Sequence, residues 1–135
     1  MEQISVRVEV VINPTESEEK VKKAVENVIG SLRTEIKRTN RSSMFIGEAN
    51  GKEALFGLCN LLRRERIRNA ARKPLLEGID RKSISFFLNK QVAYAGHLSF
   101  SKETAESPLG PIKVTVICED PRQIVNWLTS KEKRE

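Results

Sequence analysis

The run ISVRVEVVI near the start of the chain alternates between apolar and polar residues. Successive residues of a strand face opposite ways, so this run would place its apolar side chains on one side only. Such a strand has one buried face and one face in water, and it needs a covering layer on one side. Two later runs, SISFFLN and IKVTVICE, repeat the pattern and predict further strands. The buried set of the first run is Ile4, Val6, Val8 and Val10.

Two segments with single apolar stripes predict helices that supply the covering layer. Thr15 and Glu18 have the spacing of a capping box, so a helix should begin there, and Gly30 would stop it. Near the other end of the chain, Asp120 is a good N-cap and Pro121 suits the first helical position. Each helix would bury one stripe against the apolar face of the sheet.

The rest of the sheet is predicted from shorter signals. We expect strands at about 34–39 and 44–47, and a hairpin in SISFFLNKQVAYAGHLSF with NKQ as its turn. The element order indicates a two-layer α+β fold, with a mostly antiparallel sheet and helices packed on one face. The whole forms one domain over residues 1–130, followed by a charged tail at 131–135.

The helix predicted from about Lys52 changes its apolar phase partway along. The first stripe is Leu55, Leu58, Cys59 and Leu62, and it should continue at positions 66, 69 and 73, which are polar. A second apolar set, Ile67, Ala70 and Ala71, begins about a third of a turn away. One straight helix cannot bury both sets. We therefore predict a break or bend between Arg64 and Ile67, and an end or bend at Lys73 because Pro74 disfavours helical geometry there.

This broken segment, LLRRERIRNAARKPL, holds six basic side chains and one acid. The chain also has a formal net charge of +6, which favours a polyanionic partner. Because the basic side chains lie away from the apolar stripes, we expect them to reach solvent and to contact RNA phosphates; an ordinary solvated helix face is the alternative. The predicted RNA-binding residues are Arg63, Arg64, Arg68, Arg72 and Lys73, extended by Lys37, Arg38 and Arg41.

The sequence offers no clear catalytic or metal-binding pattern. His97 is the only histidine, and we place it on the less apolar face of the predicted hairpin without triad spacing. Cys59 and Cys118 match no metal motif, and the glycines form no phosphate-binding loop. We expect no catalytic residue, cofactor, metal or membrane span, and two reduced, mostly buried thiols in a cytoplasmic protein. An enzyme of unrecognised type is the third alternative, after RNA binding and scaffolding.

The aromatic residues of the hairpin divide between two faces. Phe87 points away from the core and would lie beside Ala93 and Ala95 on a semi-apolar strand face. A face of this kind is more often covered than left in water, which favours a homodimer. The scaffold alternative would use this dimer and need no nucleic acid. The aromatic residues expected in the core are Phe86, Tyr94 and Phe100.

Four strings of the chain, LNKQVAYAGHLSF, ESPLGPIKVTV, RIRNAARKPLLEGI and VRVEVVINPTESEEKVKKAVENVI, resemble an uncharacterised archaeal family. Its members are predicted RNA-binding proteins and candidate exosome subunits. The resemblance implies an α+β fold similar to the large-subunit ribosomal protein that binds 5S rRNA, a homodimer, and association with the exosome or ribosome. It implies no catalytic residue. The family pattern has an acid within RIRNAARK where this chain has Asn69, so this chain is locally more basic.

Overall fold

A computed structural model describes residues 3–30, 32–38, 43–64, 66–101 and 110–130. Within these ranges seven strands form one sheet in which every pairing is antiparallel. The order is β2-β3-β1-β7-β5-β4, and β6 pairs with the end of β5. The strands are β1 Ser5–Ile12, β2 Arg33–Arg38, β3 Ser43–Asn50, β4 Ile79–Asp80, β5 Ser83–Asn89, β6 Phe100–Ser101 and β7 Pro111–Ile117.

Helices pack on the sheet, which confirms the α+β prediction. The alternation predicted for β1 is confirmed, because Ile4, Val6, Val8 and Val10 are all buried. The other face of the sheet is mixed, since Arg7 donates a hydrogen bond to Glu48 there over 2.7 Å while Val11 and Ile117 are exposed apolar residues. A 3-10 turn at Lys52–Leu55 precedes the second helix. The helices are α1 Glu18–Val28, α2 Phe56–Arg64, α3 Arg68–Glu77, α4 Lys90–Tyr94 and α5 Pro121–Leu128.

The two predicted helix starts differ in outcome. Asp120 caps α5 by accepting a hydrogen bond from the Gln123 N–H over 3.2 Å, as predicted. The capping box of Thr15 and Glu18 is wrong, because Ser17 caps α1 instead. A turn closed by the Glu16 N–H and the Asn13 carbonyl, 2.9 Å apart, precedes Ser17, so the helix begins after it. Gly30 follows the end of α1 with φ of 105°, as its predicted role as a stop requires.

The predicted break between Arg64 and Ile67 is confirmed. Helix α2 ends at Arg64 and α3 begins at Arg68. An end or a bend was predicted at Lys73. The predicted end is wrong, since α3 continues through Pro74 to Glu77. Ala70, whose carbonyl would have received the missing proline N–H, is exposed, so water can hydrate that carbonyl. The extra turn buries Leu75 completely.

The predicted NKQ hairpin turn is also wrong. The Asn89 side chain accepts a hydrogen bond from the Val92 N–H over 3.0 Å and starts α4, so a helix connects β5 to its partner β6. Ala93 is buried on this helix and Ala95 is exposed at its end, so the semi-apolar strand face does not form. His97 is exposed in the connection to β6 rather than on a strand. The homodimer therefore stays a prediction without that surface to support it.

The core contains most of the apolar residues predicted for it, with Tyr94 and Phe100 partly buried against it and Ala70 exposed. Phe86 is 2% exposed, and its ring packs against Phe100 with centroids 5.8 Å apart. Both cysteines are buried and neither forms a disulfide, as expected for reduced thiols in the core. The loop at 102–109 and the tail at 131–135 lie outside the described residues, as does Arg41.

Candidate nucleic-acid interface

The bend between α2 and α3 is closed by a backbone motif that places an arginine in an unfavourable conformation. The Ile67 N–H bonds to the Leu62 carbonyl and the Arg66 N–H bonds to the Arg63 carbonyl, both over 3.2 Å. These are the two hydrogen bonds of a Schellman motif, in which the residue in Arg66's position is left-handed and usually glycine. Arg66 has φ of 59°. A left-handed conformation costs a residue with a Cβ about 1–2 kcal/mol, so the arginine side chain is kept here at a cost in stability.

A cleft of about 230 Å³ lies at this bend. It opens at the first turn of α3, where the N-cap residue is Ile67, whose side chain cannot accept a hydrogen bond. Helix N-termini attract anions because their free N–H groups and macrodipole are both positive there. The cleft is therefore positive from its side chains and from the backbone together. Glu65, the one acid of the stretch, lies outside the described residues. The lining residues are Arg63, Arg66, Arg68 and Asn69.

Two of the predicted RNA-binding arginines are partly used by the fold. Arg68 Nη1 donates to the Ser130 carbonyl over 3.0 Å, and Arg72 Nη1 donates to Thr129 Oγ1 over 3.1 Å. Both bonds reach the C-terminal end of α5, where the helix dipole favours positive charge. The Thr129 hydroxyl donates in turn to the Val125 carbonyl over 2.8 Å. Both arginines are half-buried, so they reach solvent with part of their hydrogen-bonding capacity already used within the fold.

The other predicted residues of the stretch are more open. Arg64 and Lys73 are exposed, and Arg63 is half-buried in the cleft. Arg64 Nη2 donates a long hydrogen bond of 3.4 Å to the Gly96 carbonyl, which leaves most of the guanidinium available. Arg66 is exposed and was not in the predicted binding set, although its place in the phase jump could have shown that it points away from the core.

The structure does not bring Lys37 and Arg38 to the same place. Both lie on β2 at one edge of the sheet, four strand positions from β5, against which α3 packs. At about 4.8 Å per position this separation is roughly 19 Å. Arg38 also forms an ion pair with Glu18 at the start of α1. These residues therefore do not extend the cleft.

An exposed aromatic residue near the cleft was not among the predicted features, which included only the aromatic residues of the expected hairpin. Phe56, the first residue of α2, is 45% exposed. Its ring packs on Trp127 of α5 with centroids 6.1 Å apart, and Lys52 Nζ lies 4.6 Å from the centre of the Trp127 ring. Helical spacing could have shown that Phe56 is exposed, because Phe56, Asn60 and Arg63 lie along one face of α2.

A second polar cluster lies inside the fold, between the β1–α1 turn and α4. Lys90 is fully buried, and its Nζ donates to Glu16 Oε1 over 3.0 Å and to the Val11 carbonyl over 2.8 Å. Tyr94 Oη donates to Glu16 Oε2 over 3.1 Å. These hydrogen bonds join side chains of α4 to the segment between β1 and α1. The cluster therefore fixes α4 against the start of α1.

This cluster shifts two pKa values. Burial alone would raise the pKa of Glu16, but hydrogen bonds from Asn13 and Lys90, with the charge of Lys90, outweigh it and hold that pKa below 4.5. Burial, assisted by the Glu16 carboxylate beside it, raises the pKa of Tyr94 to about 12. Glu16 is therefore an anion and Tyr94 a neutral donor at neutral pH.

The described residues contain no group of three or more histidine, cysteine, aspartate or glutamate side chains that could hold a metal ion. No helix within the described ranges is long and apolar enough to cross a membrane.

The chain is similar to archaeal proteins along nearly its whole length. Residues 5–118 match a protein-family model described as RNA binding. A UPF0201 protein of Sulfolobus acidocaldarius is 44% identical over 124 residues, which cover 92% of this chain and 86% of that relative. A UPF0201 protein of Pyrococcus abyssi is 38% identical over 128 residues, which cover 95% and 91%.

Solved structures share the fold. The crystal structure of a UPF0201 protein from Methanococcus jannaschii superposes with a TM-score of 0.82 at 30% identity, covering 93% of this chain and 98% of that one. A DUF54 protein from Methanothermobacter thermautotrophicus superposes with a TM-score of 0.66 at 16% identity, covering 95% and 99%, which shows the same fold alone.

Proposed function

Since the chain belongs to the archaeal UPF0201 family and matches a family model described as RNA binding, we propose that it binds RNA without catalysing a reaction. The observation that carries this proposal is the arginine cleft, which we define as Arg63, Arg66, Arg68 and Asn69 at the bend between α2 and α3. Arginine suits such a site because its planar guanidinium can bind a phosphate through two hydrogen bonds at once.

The position of the left-handed Arg66 supports the same proposal. Glycine would close the Schellman motif without strain, and although the exposed Arg81 is strained in the same way, of the two arginines only Arg66 lines the cleft. The neighbouring Arg64 adds a second exposed charge at the bend. We propose that the arginine cleft and Arg64 contact RNA phosphates, with Lys73 and the half-buried Arg72 in a lesser role.

Salt dependence of RNA binding tests this interface. About four phosphate contacts on a single strand should give a slope of log affinity against log salt of roughly −3, from about −0.7 per contact. The double variant Arg64→Gln/Arg66→Gln removes two exposed charges and should flatten the slope by about 1.4. Filter binding over a range of salt concentrations measures both slopes.

A matched control removes the same charge elsewhere. Arg81 and Arg122 are exposed, and Arg81 is also left-handed with φ of 57°. They lie near the start of α5, whereas Arg68 contacts Ser130 beyond its end, about 12 Å along the helix. The variant Arg81→Gln/Arg122→Gln should keep the wild-type slope. Equal slopes for all three proteins would contradict the interface, and absence of RNA binding at low salt would contradict the function.

The finer parts of the prediction are proposals as well. We propose a cytoplasmic homodimer, which light scattering across micromolar concentrations would test by its mass. Association with an exosome or ribosome, and a fold like that of the 5S-rRNA-binding ribosomal protein, stay predictions from the resemblance. The alternative, a dimeric scaffold without a nucleic-acid role, is favoured by a dimer mass combined with no RNA binding.

A further inference from the structure

The exposed ring of Phe56 has no role in the proposed phosphate contacts or in the core. Three large apolar side chains are exposed among the described residues, and the other two, Val11 and Ile117, are aliphatic residues on strands. Phe56 is held from behind, because Trp127 packs against it and is itself only 9% exposed. One aromatic face is therefore kept in water by a rigid support.

This ring and the arginine cleft lie on one side of the molecule. Phe56 and Arg63 are seven residues apart on α2, which is about 10 Å along the helix and about 20° around it. The contacts at the end of α5 also place Phe56 beside the cleft. Trp127, beneath Phe56, is three residues before Ser130, which accepts the hydrogen bond from Arg68 of the cleft. An extended ligand can therefore lie along α2 and contact both features.

We propose that Phe56 stacks an unpaired base while the arginine cleft binds the phosphates of the same strand, so that the ligand is single-stranded RNA. This inference rests on the proposed RNA-binding function and specifies its substrate class. Proteins that bind single strands combine positive grooves with aromatic side chains, because every base has a face that can stack. In duplex RNA the base faces are already stacked inside the helix and cannot reach Phe56.

The surroundings of the ring favour a nucleic acid over a protein partner. Specific protein interfaces bury about 800 Å² on each partner, with a fully buried, largely apolar centre and few lysines. Phe56 is instead a single exposed ring between the Lys52 ammonium and the polar Asn60, with Arg63 two turns further along α2. A cationic border around one stacking surface matches the alternation of base and phosphate along a strand.

Variants of Phe56 test the inference directly. Phe56→Ala should weaken binding to single-stranded polyuridine about 5- to 150-fold at fixed salt, since that is the range of one stacked base. Phe56→Tyr keeps the ring and should bind as the wild type does. Ile117→Ala, which trims a residue that is 53% exposed on the sheet, is the matched control and should change nothing. Thermal unfolding of each variant confirms that the fold is retained.

The salt slope separates stacking from phosphate binding. Phe56→Ala should lower polyuridine affinity without changing the slope, whereas Arg66→Gln should flatten the slope by about 0.7. The wild type should also bind polyuridine more tightly than duplex RNA, and Phe56→Ala should narrow that difference. The only tryptophan, Trp127, lies against Phe56, so polyuridine should quench the intrinsic fluorescence of the wild type.

The outcomes distinguish this inference from the proposed function. If Phe56→Ala binds polyuridine as tightly as the wild type does while Arg66→Gln flattens the slope, the stacking role is overturned and the phosphate interface stands. The exposed ring of Phe56 would then be explained as a contact for a protein partner. If the wild type binds neither polyuridine nor duplex RNA at low salt, the proposed function itself fails and this inference fails with it.

Discussion

Replacing the strained Arg66 with glycine should make the protein more stable and weaken its RNA binding. The left-handed backbone at φ of 59° costs about 1–2 kcal/mol for arginine and nothing for glycine. Glycine loses more conformational freedom on folding, which costs about 0.5–1 kcal/mol. Because the Arg66 side chain is exposed, its removal should expose no core. We expect Arg66→Gly to raise the free energy of unfolding by about 0.5–1 kcal/mol.

The variant Arg81→Gly provides the control for this prediction. Arg81 is an exposed arginine with φ of 57°, so urea denaturation should show a similar gain for both variants. Filter binding should separate them, with the salt slope flattened by about 0.7 for Arg66→Gly and unchanged for Arg81→Gly. A less stable Arg66→Gly beside a more stable Arg81→Gly would show that the Arg66 side chain supports the fold. The explanation of its strain by binding would then be refuted.

Four further predictions concern the fold. Lys90→Met leaves the Glu16 carboxylate buried without its counter-ion and should cost about 3–5 kcal/mol in urea denaturation; a loss below about 1 kcal/mol would contradict this. Because the folded pKa of Glu16 lies below 4.5, its ionised form stabilises the fold, and stability should decline as the pH falls below 4.5, less so in Glu16→Gln. At high pH the raised pKa of Tyr94 should cause stability to fall between 10 and about 12, an effect that Tyr94→Phe should remove. Gly78→Ala would place a Cβ 1.8 Å from the Ser85 carbonyl oxygen, so the melting temperature should fall in line with a loss of about 1–3 kcal/mol.

The layered α+β fold could be predicted because it depends on burial, which the sequence records residue by residue. Alternation in β1 and the stripe of α1 each identify a face that must leave water. The phase jump after Leu62 was equally informative, since no straight helix could bury Ile67 on the same side. Such patterns determine which side of an element faces the core, and here they also predicted the bend.

The connection after β5 was not predictable by the same means. Asn89 suits both a turn and a helix N-cap, and the residues after it are apolar at spacings that fit a strand or a short helix. Contacts distant in sequence decide for the helix. Lys90 reaches Glu16 and Val11 only if the chain turns into α4, and Asn27 Nδ2 donates to the Ala93 carbonyl over 2.9 Å. Local periodicity in the sequence cannot reveal these partners, because they are distant along the chain.

For the arginines of the candidate site, the sequence likewise predicted some properties and not others. Sequence spacing correctly separated basic residues from the apolar stripe, but Arg68 and Arg72 found acceptors at the end of α5, more than fifty residues away. Their charges stabilise a helix terminus, so deleting them would confound loss of RNA binding with loss of packing between α3 and α5. Arg64 and Arg66 carry the same charge and are exposed at the bend. The net charge of +6 therefore does not define the interface. The interface is defined by which arginines the bend leaves exposed beside the positive end of α3, and these are the residues whose removal should change the salt slope and leave the fold intact.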